Sequence, residues 1–226
     1  MKSIVLLSGG LDSTVALAAA KQESEIALAL TFEYGQRAAE REIYAAQHIA
    51  EYFGIQHLTL RVDFLGNITK TALVNDTVDV PKLTPNVLDD ATVTLASASS
   101  VWVPNRNGVF INIAAAYCET LQCEQVVVGF NAEEGTTFPD NTPEYMAAAT
   151  LALSYSTLSG VKVHSPTVDF NKTQLVALGR QLNIPFHLLW SCYHGNEVMC
   201  GECESCQRLK RALVQTDSIG LAKFAR

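Results

Sequence analysis

The chain lacks any apolar run long enough to cross a bilayer. It also lacks the basic-then-apolar leader of a secreted protein, because a strand pattern begins within three residues of Met1. The expectation is a cytoplasmic protein with no membrane partner. Positive charge is scarce: 16 Lys and Arg against 23 Asp and Glu give a formal net charge of −7. That argues against a broad duplex-binding surface, so no nucleic-acid partner is expected, and an anionic substrate must be met by local cations. Familiar catalytic signatures are missing as well. There is no G-x-x-x-x-G-K-[ST], no G-x-G-x-x-G, no G-x-S-x-G and no H-E-x-x-H. No internal repeat is visible. What remains is 226 residues, 48% hydrophobic, enough for a sizeable core.

The most informative stretch present is SIVLLSGGLDST, residues 3–14. The apolar Ile4–Leu7 has strand length, and the chain then turns at Ser8-Gly9-Gly10 into a helical pattern. Glycine permits backbone angles closed to other residues and a close approach to a ligand. The hydroxyls of Ser8, Ser13 and Thr14 and the amides around Gly9–Asp12, with Leu11 among them, can surround an anion at a helix start. Asp12 would repel a bare phosphate. It fits if Mg²⁺ sits between it and a nucleotide. The alternative is ordinary punctuation between a strand and a helix.

Strand and helix patterns then alternate. Strands are expected at Ile4–Leu7, Ala27–Phe32, His57–Val62, Gln125–Gly129 and Val161–His164. Helices are expected at Asp12–Gln22, Arg37–Phe53, Asn107–Leu121, Glu144–Leu158, Lys172–Leu182 and Ser205–Gln215. This order predicts an α/β fold: an open, mostly parallel sheet with helices on both faces. Residues 64–104 break the rhythm, with only weak alternation near Thr92–Val103, and read as an insertion or flap over the site. Residues 1–189 would form the nucleotide-binding domain and 190–226 a small C-terminal region.

Four of six cysteines cluster near the C-terminus: Cys192, Cys200, Cys203 and Cys206. In a cytosolic chain such a cluster reads as metal before disulfide. Four sulfurs suit one closed, structural Zn²⁺ site per chain, with no position left for a catalytic water. An iron–sulfur cluster, His194 as a substitute ligand, or an unligated tail are the alternatives.

Three cations fall near carboxyl ends of strands or at helix starts: Arg37, Arg106 and Lys172. They could offset phosphate charge and charge developing at a transferring phosphoryl group. Glu133, Glu134 and Asp140 follow the fourth strand. They could bind Mg²⁺ or accept from a guanidine-like edge, or be ordinary loop acids. Phe32, Tyr34, Phe130 and Phe138 could stack on a base.

SGGLDST at 8–14 resembles the pyrophosphate loop of the adenine nucleotide α-hydrolase-like (PP-loop) superfamily. With YGQR at 34–37, VPNRNGVF at 103–110, GFNAEE at 129–134, FPDNTPEY at 138–145, SPTVDFNKTQLVALG at 165–179 and the cysteine tail, the chain resembles the 7-cyano-7-deazaguanine synthase (QueC) family along nearly its whole length. The resemblance implies a PP-loop nucleotide-binding fold and ATP with Mg²⁺, cleaved between the α and β phosphates. Ser8, Gly9, Gly10, Leu11, Asp12, Ser13, Thr14 and Arg37 would bind the nucleotide. Asp12, Arg106 and Lys172 would be catalytic, and Cys192, Cys200, Cys203 and Cys206 the zinc ligands. Asn107, Phe130, Glu133 and Asp140 would contact the deazapurine substrate.

The implied reaction joins 7-carboxy-7-deazaguanine, ammonia and ATP into 7-cyano-7-deazaguanine (preQ0), on the way to queuosine or archaeosine, in a homodimer. Two departures stand out. Many members have histidine where this chain has Ala38, and many read Tyr-Pro-Asp-Cys-Arg where it has Phe138-Pro139-Asp140-Asn141-Thr142. A tRNA-thiolating or other tRNA-modifying PP-loop enzyme, and a non-catalytic zinc-stabilised nucleotide-binding module, are the competing expectations.

Overall fold

The computed structural model describes residues 1–226. Five strands form one parallel sheet: β1 (Lys2–Leu6), β2 (Glu25–Glu33), β3 (His57–Arg61), β4 (Gln125–Val127) and β5 (Lys162–His164), in the order β3-β2-β1-β4-β5. The central strands are apolar on both faces because helices cover both. Ile4, Val5, Val126 and Val127 have no exposed surface.

The helices are α1 (Leu11–Glu23), α2 (Ala39–Tyr52), α3 (Asp63–Ile68), α4 (Ala91–Val101), α5 (Arg106–Thr120), α6 (Ala132–Gly135), α7 (Pro143–Ser156), α8 (Lys172–Gln181) and α9 (Glu204–Gln215). Right-handed crossovers put α1 and α2 on one face and α5 and α7 on the other. Helices α8 and α9 continue the α1 layer, with α8 packed between α1 and α9. Strand order reverses between β1 and β4, which makes the carboxyl ends of those two strands the natural ligand crevice. No helix is long and apolar enough to cross a membrane.

The expected elements recur with ends shifted by a few residues, except in residues 64–104. There the alternation near Thr92–Val103 belongs to a helix, α4, and not to a strand. The Asp90 carboxylate starts it by accepting from the amides of Thr92 (2.9 Å) and Val93 (3.1 Å). Its buried residues are Thr94, Ser97, Ala98 and Val101, a helical spacing. Small and hydroxyl side chains hid that period from a hydrophobicity reading. Both ends of this segment reach the ligand crevice, where Leu73 from the first part and Val101, Trp102 and Val103 from the last form part of the wall. Its middle packs on the cysteine region, with Pro81 O accepting from the Glu204 amide at 3.2 Å.

Two glycines set the geometry of the crevice. Gly9 has φ +80°, and a Cβ there would lie 2.7 Å from Ala45 Cβ on α2. Gly129, just past β4, faces the first turn of α1, where a Cβ would lie 2.6 Å from Ser13 N. The first turn of α1 and the end of β4 are therefore in backbone contact. Gly129→Ala should destabilise the fold by about 1–3 kcal/mol, because a backbone atom has to move. Gly220→Ala, with nothing within 4 Å of the added methyl, should change stability by less than about 0.5 kcal/mol. Urea unfolding of both variants checks the contrast.

Candidate active site

The crevice is a cavity of about 300 Å³ at the carboxyl ends of β1, β2 and β4. One end is the turn after β1. Gly10 precedes α1 with no side chain capping the helix start, so the first amides of α1 stay available to an anion. Within the turn, Ser13 Oγ accepts from Ser8 N at 3.2 Å and Thr14 Oγ1 donates to Gly10 O at 2.7 Å. The Trp190 amide holds the turn from outside by donating to Gly9 O at 2.9 Å.

Next to the turn lies a cluster of charge. Lys172 Nζ is 2.5 Å from Asp12 Oδ2 and 2.9 Å from Glu134 Oε1. Local sequence builds each part. In α8, Asn171 and Gln174 form a reciprocal capping box, which sets Lys172 at the first helical position. In α6, Asn131 Oδ1 accepts from the Glu134 amide at 3.0 Å. Burial would depress the Lys172 ammonium, but Asp12 and Glu134 outweigh it and raise its pKa well above the usual lysine range. Burial would raise the Glu134 carboxyl too, yet Lys172 pulls it below its ordinary value. Asp12 is raised by burial despite Lys172. Its Oδ1 is buried and has no partner, an acceptor that a bound cation would satisfy.

The rest of the wall is largely aromatic. Phe32 and Phe110 stack at 4.0 Å, and Trp102 and Phe138 at 6.1 Å. Arg106 donates to the Tyr34 hydroxyl at 3.1 Å and lies 5.8 Å from its ring centre. Its position follows from the run before it: Asn105 takes a left-handed φ of 54°, and Gly108 leaves room for the Asn105 side chain, 2.1 Å from where a Cβ would be. Asn107, Phe130 and Asp140 also line the cavity. Burial pushes the Asp140 carboxyl up, against the pull of Arg106.

Of the residues expected from sequence, Ser8, Gly10, Leu11, Asp12, Ser13, Arg106, Asn107, Phe130, Asp140 and Lys172 meet at this cavity. Gly9 and Thr14 shape the loop from behind. Two residues are directed elsewhere. The Arg37 guanidinium donates to the carbonyls of Asn75 and Val78, and its Nε is 3.2 Å from Asp76. Glu133 pairs with Arg208 and Arg211, each at 2.6 Å. Sequence reasoning left out Glu42, Trp190, Ser191 and Tyr193, all of which line the cavity. Of the two candidate acids Glu133 and Glu134, the cavity is lined by Glu134 and not by Glu133, the one expected to contact substrate. No periodicity separates two adjacent acids in a turn, and only the Asn131 cap does. Trp190 and Tyr193 could have been suspected as large side chains beside a cysteine cluster.

The Sγ atoms of Cys192, Cys200, Cys203 and Cys206 lie within 4.8 Å of one another. Backbone amides already point at two of them: His194 N and Cys200 N at Cys192 Sγ (3.4 Å each), and Glu202 N and Cys203 N at Cys200 Sγ (3.4 and 3.3 Å). Such amide donors are the second layer of contacts that a metal-bound sulfur accepts. Gly201, at φ +77°, makes the tight turn between two ligands. The set fits a closed four-sulfur metal site of structural character.

A parallel sheet with a serine–glycine turn at its switch point, backed by an aspartate and a lysine, defines the PP-loop class of nucleotide-binding α/β proteins. The family model described as "Queuosine biosynthesis protein QueC" matches residues 2–217. The chain belongs to this family. Among its relatives, the 7-cyano-7-deazaguanine synthase of Pelotomaculum thermopropionicum is 54% identical over 212 residues, 94% of this chain and 96% of that one. The protein of the same name from Desulforamulus reducens is 53% identical over 221 residues, 98% of this chain and 96% of that one. That from Methanosarcina barkeri is 50% identical over 215 residues, 94% and 93% of the two chains.

The charge cluster makes a pH-dependent prediction. Lys172→Met leaves Asp12 and Glu134 buried without a counter-charge, so both carboxyls move up. The folded state then holds more protons than the unfolded one, and stability falls as pH rises. The variant should lose roughly 3–5 kcal/mol at neutral pH, with the gap to the parent narrowing toward pH about 5. Adding Glu134→Gln should recover part of the loss. Denaturation across pH measures this.

Proposed function

We propose that the chain converts 7-carboxy-7-deazaguanine and ammonia to 7-cyano-7-deazaguanine at the expense of ATP, through adenylated intermediates, for queuosine or archaeosine biosynthesis. It is a ligase that forms carbon–nitrogen bonds. Beside family membership, one observation carries the reading. A single cavity joins an anion-binding helix start and the Asp12–Lys172–Glu134 cluster to an aromatic slot containing Asp140 and Asn107.

The chemistry follows from the substrate. A carboxylate is ionised at neutral pH and is a poor electrophile. Its oxygen attacks the α-phosphorus of ATP, the bond to the β-phosphate oxygen breaks, and pyrophosphate leaves. Ammonia adds to the acyl adenylate and expels AMP, giving the amide and releasing a proton. A second adenylation, now on the amide oxygen, makes that oxygen a leaving group. One N–H proton is lost as the amide oxygen is adenylated, and loss of AMP with the second N–H proton then gives the nitrile.

For each adenylation the residues supply position and charge. The first amides of α1 and the Ser8 and Ser13 hydroxyls face the displaced pyrophosphate. Lys172 and Arg106 offset its charge. Asp12, with its unpartnered buried oxygen, would hold Mg²⁺, which would neutralise phosphate charge when bound. Phe130 and the neighbouring rings clamp the flat deazapurine, and Asp140 accepts from its guanidine-like edge. The metal at the four cysteines is Zn²⁺ in a structural role, and the working form is a homodimer.

Purified chain incubated with the deazapurine acid, ATP, Mg²⁺ and ammonium should yield the nitrile, AMP and pyrophosphate by mass spectrometry. Asp12→Asn should slow turnover by about 10²-fold or more while its melting temperature changes little. Formation of ADP in place of AMP, or of no nitrile, overturns the reading. Cys203→Ser should cut zinc from about one ion per chain to near none, with a lower melting temperature. Full zinc content in that variant would refute the ligand set.

A further inference from the structure

One buried charge takes no part in the reaction above. Arg208 is 8% exposed and lies on α9, two residues beyond Cys206. Its guanidinium forks onto Glu204 Oε1, from Nε at 3.0 Å and Nη2 at 2.8 Å, and Nη1 donates to Glu133 Oε1 at 2.6 Å. The other Glu204 oxygen accepts from Ser97 Oγ on α4. Glu133 Oε1 also accepts from Arg211, and Oε2 faces the Lys172 amide at 3.3 Å. The next residue, Glu134, holds the Lys172 ammonium against Asp12. An unbroken set of contacts thus runs from the helix that carries Cys206 and begins just after Cys203 to the helix-start end of the cavity.

Burying an arginine between two carboxylates is costly, and apolar side chains of similar volume often fold as well or better. What a forked, fully engaged guanidinium adds is fixed geometry. Here it fixes α6, a helix of four residues with little packing of its own. We infer that Arg208 is a positioning residue: it holds α6 so that Glu134 stays on Lys172, and it ties the order of the four-cysteine cluster to the order of the nucleotide loop. On this account Glu133 belongs to the scaffold and does not touch the substrate. The inference rests on the proposed reaction only in naming ATP as the ligand that senses the geometry.

The test uses full-length, zinc-loaded chain carrying Arg208→Met, Arg208→Lys or Glu133→Gln. Zinc content and melting temperature are recorded first. Binding of ATP with Mg²⁺ is then measured by calorimetry, which needs no turnover, followed by kcat and KM for ATP and for the deazapurine acid. Arg208→Met should keep its zinc, weaken ATP binding and raise the KM for ATP by about tenfold, and leave the KM for the acid unchanged. Arg208→Lys should recover part of the effect, since a point charge cannot fork. Glu133→Gln should reproduce the ATP defect, and it decides the matter if Arg208→Met does not fold.

A merely structural Arg208 gives a different pattern. The active fraction and apparent kcat fall, while ATP affinity and both KM values stay at parent levels, and that result overturns the inference. Parent chain that binds ATP but makes no nitrile sinks the reaction instead, and the ATP affinities of the variants still decide Arg208.

Discussion

The site depends on one buried ammonium shared by two carboxylates. Lys172 draws together three parts of the chain that are distant in sequence: the turn after β1 through Asp12, the turn after β4 through Glu134, and the start of α8. None of the three charges is comfortable there alone, because burial disfavours each ionised form. Together they leave one unit of negative charge and one empty acceptor oxygen, on Asp12, beside a helix start with free amides. A cation at that oxygen and an anion at those amides would each meet complementary charge. These charges and dipoles are fixed in place by contacts the protein already makes, so they need not reorganise to meet a ligand.

Close backbone packing makes that cluster possible. Gly129 lets the end of β4 touch the first turn of α1, and Gly9 lets the same turn press on α2. Side chains at either place would push Asp12 away from Lys172. The topology matters equally. Because strand order reverses between β1 and β4, their loops diverge to opposite faces and leave a crevice between them. The aromatic residues that close this crevice come from β2 and the turn after it, α5, the segments before α5 and α7, and the cysteine region. The slot for a flat heterocycle is thus assembled from separate parts of the chain.

The four-cysteine region is joined to the nucleotide site at two places. On one side the Trp190 amide holds the carbonyl of Gly9, and on the other Arg208 grips Glu133. The excursion over residues 64–104 shares in this. It packs on the cysteine region through Pro81 and Ser97, and it walls the cavity through Trp102 and Val103. Loop, cysteine region and excursion are thus held in direct contact with one another.

Local patterns in the sequence determined a good deal by themselves. Continuous apolar runs specify strands buried on both faces, Ser-Gly-Gly-Leu-Asp specifies a ligand-binding turn into a helix, and Asn171 with Gln174 marks a helix start. Cysteine spacing alone brings three sulfurs within reach of one ion. These are short-range effects of backbone sterics, capping and side-chain chemistry, so the sequence carries them openly. Tertiary structure decided the rest. Whether Glu133 or Glu134 faces the cavity depends on the rotation of one capped turn. Arg37, adjacent to the site in sequence, is taken by the carbonyls of a distant loop. The helix at 91–101 starts on a local cap at Asp90, but what seats it is tertiary: Ser97 reaches the buried Glu204 of α9. Each of these outcomes is a competition between contacts far apart along the chain, and such a competition is settled only when the parts are in place.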